Sequence, residues 1–97
     1  MNTIEGIKEI LARHKDELRE SFKLKEIGVF GSYVRGQQKE KSDVDILVEF
    51  EEVPGLFKLI ELEDYLEEIL RVKVDLVMKS ALKPVIGKYI LREVVYL

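Results

Sequence analysis

The chain has 97 residues, 46% hydrophobic and 36% charged, which is typical of one small globular domain spanning 1–97. Its formal charge is −3, and no segment is basic enough for stable, sequence-independent binding to DNA or RNA. Because it lacks cysteine, a signal-peptide pattern and a long apolar run, we expect a cytoplasmic protein without disulfides or membrane attachment. A domain this small keeps roughly 35–40% of its unfolded surface exposed, which predicts a shallow site or one that a partner completes.

The first third of the chain carries a helical pattern and then a strand pattern. Apolar residues at steps of three and four predict one amphipathic helix over 4–18, with Asn2 in an N-terminal capping box. His14 lies on the apolar stripe of this helix, and we interpret it as a half-buried packing residue. The apolar segment 26–30, closed by Gly31, predicts a buried strand, and a turn with a short helix should follow.

The remaining two thirds alternate between the same two patterns. Strands are predicted over 43–50 and 71–78 from their period of two, with a helix between them that has Pro54 in its first turn and a strongly acidic outer face. Pro84 should open a last helix that runs through Arg92, followed by an extended tail. This order predicts an α/β or α+β fold in which helices pack against a small mixed sheet. With little basic surface, either the acidic helix or the apolar tail is expected to contribute to a protein interface.

The turn after the first strand is a candidate phosphate site. Gly31 and Ser32 stand between a strand and a helix, where unpaired backbone N–H groups and the positive end of the helix dipole favour an anion. Arg35 follows Ser32 by three residues, so both side chains could reach one polyphosphate. The alternative is an ordinary turn with a helix-capping serine and a solvated arginine.

The second candidate feature is a set of aspartates on strands. Asp43 and Asp45 are two residues apart, so both carboxylates lie on one face, at a spacing that suits a hard cation. Asp75 has the same phase on the third predicted strand and would join them if the two strands are neighbours. Three carboxylates would suit two divalent ions, most naturally Mg²⁺. An edge strand with solvated charges is the alternative for an isolated pair.

Together, Gly31-Ser32, Gly36, the segment Ser42-Asp43-Val44-Asp45 and the later Asp75 resemble the signature of the DNA polymerase beta superfamily. Within it, the chain is similar to the minimal nucleotidyltransferases. The resemblance implies that Gly31 and Ser32 hold a nucleoside triphosphate. It also implies that Asp43 and Asp45 bind two Mg²⁺ ions, and that Asp75 completes the catalytic metal site and helps to activate the acceptor.

The same resemblance implies a reaction and a partner. Minimal members often pair with a small helical HEPN-type toxin, which implies that the chain is an antitoxin that transfers AMP from ATP to a tyrosine of the toxin. Three other readings stay open: transfer of another nucleoside monophosphate, neutralisation of the toxin by binding alone, and transfer to a small molecule. The oligomeric state also stays open, and a homo-oligomer is one of the possibilities.

Overall fold

The computed structural model describes residues 3–97, which form a mixed four-stranded sheet with helices packed against it. The predicted α/β class with a mixed sheet is therefore confirmed. In chain order the elements are α1 (Ile4–Arg13), α2 (Lys15–Phe22), β1 (Leu24–Phe30), α3 (Ser32–Arg35), β2 (Val44–Phe50), α4 (Leu56–Leu70), β3 (Val74–Met78), a 3₁₀ turn (Lys79–Ala81), α5 (Pro84–Glu93) and β4 (Val95–Tyr96).

The sheet has the strand order β3-β2-β1-β4. The central strand β1 is antiparallel to both of its neighbours, β2 and β4, whereas β2 and β3 run parallel. A parallel pair needs a crossover connection, and α4 supplies it between β2 and β3. This crossover makes β2 and β3 neighbours, which is the condition that the sequence left open for Asp75.

One face of the sheet forms the main hydrophobic core with α1, α2 and α4. Alternate residues of β2, namely Val44, Ile46 and Val48, are fully buried there, as the strand pattern predicts. The helices contribute leucine and isoleucine side chains to the same cluster, among them Ile7, Leu11, Leu18, Leu62, Leu66 and Leu70. Because successive strand side chains point to opposite faces, Asp45 lies on the face away from this core.

The prediction of a single helix over 4–18 is wrong, because the structure breaks it at His14 into α1 and α2. The backbone at His14 leaves the helical region (φ −105°, ψ 12°), and its Nδ1 lies 2.8 Å from the Ile10 carbonyl oxygen. The ring therefore bonds the Ile10 carbonyl, which in an unbroken helix would accept the backbone N–H of His14. The apolar stripe stays in phase across the break, so periodicity alone could not reveal it. His14 is half-buried against Tyr65, as its packing role predicts.

Other helix and strand boundaries also differ from the predicted ones. Pro54 lies outside α4, which Gly55 caps, and a fixed proline φ suits the extended approach to a helix as well as its first turn. The third strand begins at Val74 because Arg71 adopts a left-handed conformation (φ 57°) that ends α4. The predicted cap Asn2 lies outside the described residues, and Thr3 accepts the Gly6 N–H bond at the start of α1.

The end of the chain matches its prediction closely. Pro84 is the first residue of α5, which runs to Glu93, and the extended tail pairs with β1 as β4. Leu97 packs against the core, so the tail is used within the fold. In the part of the chain that the structure describes, no helix combines the length and apolar character needed to cross a membrane.

Candidate active site

Gly31 forms the junction between β1 and α3, and it has a backbone conformation that essentially only glycine adopts (φ 77°, ψ −152°). A Cβ atom at this position would overlap Oδ2 of Asp45. The glycine is therefore required twice, by its dihedral angles and by its close approach to a carboxylate. The two motifs of the sequence thus meet at van der Waals distance.

The single turn of α3 follows directly from this junction. The Gly31 carbonyl accepts N–H bonds from Val34 and Arg35, whereas the N–H groups of Ser32 and Tyr33 have no carbonyl within the helix to bond. Gly36 ends the turn in a left-handed conformation (φ 69°), which glycine adopts at little cost. Ser32 is partly exposed beside Gly31, as a phosphate contact requires.

Asp43 and Asp45 reach the site from β2. Ser42 precedes them, and its hydroxyl accepts a 2.8 Å bond from the Lys39 N–H, which fixes the turn that leads into the strand. Asp43 stands just before the first residue of β2 and is exposed. Asp45 lies within the strand and is partly buried. The strand pairing places Asp45 on the face away from the core, and Asp43 stands two residues before it, outside the paired segment.

Asp75 of β3 lies directly beside Asp45 in the parallel register, and their side chains are hydrogen-bonded. Burial, together with the charges of Asp75 and Asp43, raises the pKa of Asp45 from its ordinary 3.8 to about 6. The Arg35 guanidinium acts in the opposite direction. Asp45 therefore keeps its proton to a higher pH than an isolated aspartate does.

The donor set fits a hard cation better than any other group. The side chains that meet here present carboxylate oxygens, the ligands that Mg²⁺ prefers. Burial, and after it the neighbouring carboxylates, disfavours the charge on Asp45, and a divalent ion would offset that cost. Within residues 3–97, however, no group of three His, Cys, Asp or Glu side chains is already close enough to hold a metal. Asp45 and Asp75 are in contact, and Asp43 acts on Asp45 through its charge.

Arg35 does not point freely toward solvent. Its Nη1 donates a 2.7 Å bond to Oε1 of Glu93, and its Nε donates a 3.0 Å bond to the Gln37 side chain. The other Glu93 oxygen accepts the Gly31 N–H at 3.0 Å. Since a guanidinium has five N–H donors, these bonds leave others for a phosphate. Glu93 thus connects two of the predicted nucleotide-binding residues.

Comparison with known proteins identifies the family. Residues 11–97 match the model of the nucleotidyltransferase domain. The chain belongs to this family. It is 67% identical to the protein adenylyltransferase MntA of Thermococcus cleftensis over 96 residues, which cover 99% of this chain and 97% of that relative.

Two solved structures resemble this nucleotidyltransferase along most of its length. A protein assigned as a minimal nucleotidyltransferase superposes with a TM-score of 0.77 at 35% identity, covering 94% of this chain and 95% of the other. A toxin–antitoxin structure with AMP-PNP gives a TM-score of 0.73 at 28% identity, covering 93% of this chain and 70% of the other. The fold predicted from the motif and element order is that of the family.

Glu93 is the residue that sequence reasoning missed in this nucleotidyltransferase. It lies 62 positions from Gly31 and 58 from Arg35, so no local pattern joins them. A weak signal was present, because a glutamate in the last turn of a helix opposes the helix dipole. A glutamate in this position is stabilised when specific donors compensate its charge. The predicted Gly31, Asp45 and Asp75 do come together, with Asp43 and Arg35 at the margin.

Proposed function

We propose that this nucleotidyltransferase transfers AMP from ATP to a hydroxyl group of a partner protein, a tyrosine of a HEPN-type helical toxin. The observation that carries the proposal is the Asp45–Asp75 pair, which lies against the Gly31 junction. Carboxylates that favour a cation thus stand next to backbone that favours a phosphate. The name of the Thermococcus relative, protein adenylyltransferase, and the AMP-PNP in the similar toxin–antitoxin structure support the choice of nucleotide and partner.

In the proposed reaction the acceptor oxygen attacks the α-phosphorus of ATP. The bond from this phosphorus to the oxygen that bridges to the β-phosphate breaks, and pyrophosphate leaves. Gly31, Ser32 and Arg35 hold the phosphates through backbone N–H, hydroxyl and guanidinium donors. Asp75, the exposed member of the carboxyl pair, accepts the proton of the attacking hydroxyl.

Asp43, Asp45 and Asp75 are the residues that would hold Mg²⁺, as two ions if all three carboxylates take part. When bound, the ions would lower the pKa of the acceptor hydroxyl and offset the charge that develops on pyrophosphate. The partly buried Asp45 interacts with both of the other carboxylates, with Asp75 by contact and with Asp43 through charge. This assignment gives a reason for placing acidic side chains on neighbouring strands, where Arg35 is the cation that acts on Asp45.

Binding without catalysis is the second candidate function, and an exposed apolar surface favours it. Val85, Ile86 and Tyr89 on α5 are 71%, 61% and 67% exposed. On α4, Leu56 and Phe57 are 69% and 85% exposed. Such side chains are common in protein interfaces. The antitoxin would then neutralise its partner by covering it, with nucleotide transfer contributing little.

A transfer assay with labelled ATP separates the two functions. The protein is incubated with Mg²⁺ and a HEPN-type helical protein, and ATP carries the label on either the α- or the γ-phosphate. We expect label on the partner from α-labelled ATP only, and loss of that label when a tyrosine acceptor is changed to phenylalanine. Asp45→Asn should abolish transfer, whereas the control Asp64→Asn, on the exposed face of α4, should not.

The toxin's activity is measured in the same mixtures. If the wild type transfers no label yet still neutralises its partner, the binding function replaces the catalytic one. If Asp45→Asn transfers at the wild-type rate, the site assignment is wrong even though the protein is an enzyme. Transfer of label from the γ-phosphate would indicate a kinase-type reaction and would contradict the proposed chemistry.

A further inference from the structure

The Glu93 carboxylate accepts a backbone hydrogen bond just beyond the paired residues of β1 and β4. Strand β4 pairs with β1 at Gly28 and Val29, and extending that register by two residues brings Glu93 beside Gly31. The chain is already helical at Glu93, so its backbone does not continue the ladder. Its side chain instead accepts the Gly31 N–H at 3.0 Å.

The second oxygen of the same carboxylate accepts the Arg35 bond at 2.7 Å. The Glu93 side chain is 23% exposed and that of Arg35 49%, so the glutamate is the less solvated partner. In the last turn of α5 the carboxylate also faces the negative end of the helix dipole. A glutamate that is largely shielded and opposed by the dipole is held there by its two donors.

These contacts connect α5 to the proposed reacting groups through two adjacent backbone atoms of Gly31. Gly31 is held by Glu93 at its nitrogen and lies against Asp45 at its α-carbon. Any shift of Gly31 away from α5 therefore changes its distance from Asp45. Arg35, the other group that Glu93 holds, is the cation that acts on Asp45.

We propose that Glu93 is a positioning residue for nucleotidyl transfer, which holds Gly31 and Arg35 at a fixed distance from the Asp45–Asp75 pair. The inference rests on the proposed roles of Gly31 and Arg35 as phosphate contacts. Glu93 itself touches neither nucleotide nor acceptor. Its effect is geometric, because a displacement of about 1 Å in a catalytic arrangement can reduce the rate by roughly 100-fold.

Three variants distinguish the effect of the length of the Glu93 side chain from the effect of its charge. Glu93→Gln keeps an oxygen that can accept the Gly31 N–H but loses the ion pair with Arg35. Glu93→Asp keeps the charge, yet it is one methylene shorter and cannot span both donors. Glu93→Ala removes both contacts while also removing a charge that the helix dipole opposes. Glu63→Ala, at an exposed position of α4, is the control.

The assay is AMP transfer below the melting transition, with kcat and the KM for ATP measured separately, beside ATP affinity by calorimetry. We expect kcat to fall by about 10–100-fold in Glu93→Ala and Glu93→Asp, with Glu93→Gln between these and the wild type. ATP affinity should fall in the same order. Because Glu93→Gln has the same shape as the wild type, it keeps the test decisive if Glu93→Ala does not fold.

Two results would overturn the inference. If Glu93 only stabilised the fold, the variants would melt at lower temperature while the folded protein kept its kcat and KM. If the carboxylate instead competed with phosphate for the same donors, Glu93→Ala would bind ATP more tightly and transfer at least as fast. A wild type without transfer would refute the proposed function, and the ATP affinities would then decide the role of Glu93: equal values would refute it and the expected order would support it.

Discussion

Replacing Asp45 by asparagine should stabilise the metal-free protein at neutral pH and should stop doing so in acid. The folded state raises the pKa of this carboxyl from 3.8 to about 6, so it binds a proton more tightly than the unfolded chain. The favourable contribution of that proton is complete below about pH 4 and is lost as the pH rises through 6. Above that range the wild type carries an ionised group in a place that disfavours it.

The size of the effect follows from the shift. About two pKa units correspond to roughly 3 kcal/mol, and access of water to a partly exposed side chain reduces this to about 1–2 kcal/mol. The amide in Asp45→Asn resembles the protonated carboxyl and can still donate a hydrogen bond to Asp75. The variant should therefore be more stable than the wild type by about 1–2 kcal/mol near pH 8, and the difference should shrink toward zero near pH 4.

Urea denaturation in the presence of a chelator measures this difference at several pH values. Asp64→Asn, which removes an exposed aspartate from α4, is the control and should change the unfolding free energy by no more than about 0.5 kcal/mol at any pH. A variant less stable than the wild type at pH 8 would show that the Asp45 carboxylate supports the fold. A gain that does not depend on pH would show that titration of Asp45 is not its cause.

Three further predictions concern ligand binding and backbone geometry. Mg²⁺ together with ATP should raise the melting temperature of the wild type and not that of Asp45→Asn, since a ligand that binds only the folded state stabilises it; equal shifts in calorimetry would contradict the site assignment. Gly31→Ala should destabilise the protein by about 1–3 kcal/mol or more in urea denaturation and should remove the ATP-dependent shift, because its Cβ overlaps Asp45; an unchanged midpoint would show that the loop can move aside. Asp75→Asn should keep much of the ATP affinity while losing most transfer, and a proportional loss of both would place Asp75 among the phosphate or metal contacts needed for binding.

The sequence predicted those features that short-range pattern determines. Alternation located the buried residues of β2, and proline at the start of α5 marked its first turn. The spacing of Asp43 and Asp45 predicted a shared face because a strand repeats every two residues, and the structure places only Asp45 within β2. Features that depend on pairing between distant segments could be predicted only on condition that those segments pair. Asp75 could be assigned to the site only if β2 and β3 were neighbours, and the parallel register makes them so.

The break at His14 and the omission of Glu93 have one physical origin. The break at His14 depends on a side chain that bonds the Ile10 carbonyl, and this bond leaves the apolar period unchanged. The role of Glu93 depends on the return of the chain end to β1, which no local pattern records. In both cases a polar side chain replaces a backbone partner. Hydrophobic periodicity does not indicate where a side chain replaces a backbone hydrogen-bonding partner. A charge of unfavourable sign at a helix end is a weak indication of it.

The charges around the site explain why nucleotide and metal should depend on each other. Asp45 and Asp75 are in contact, Asp43 acts on Asp45 through its charge, and the nearest cation, Arg35, is already paired with Glu93. A triphosphate arriving alone adds negative charge to a set of carboxylates, and this repulsion opposes its binding. A divalent ion removes that repulsion and in turn gains phosphate oxygens as ligands. Each ligand is therefore expected to strengthen the binding of the other, and linkage requires the two effects to be equal in free energy. The proposed site would thus favour the metal–nucleotide pair over either component alone.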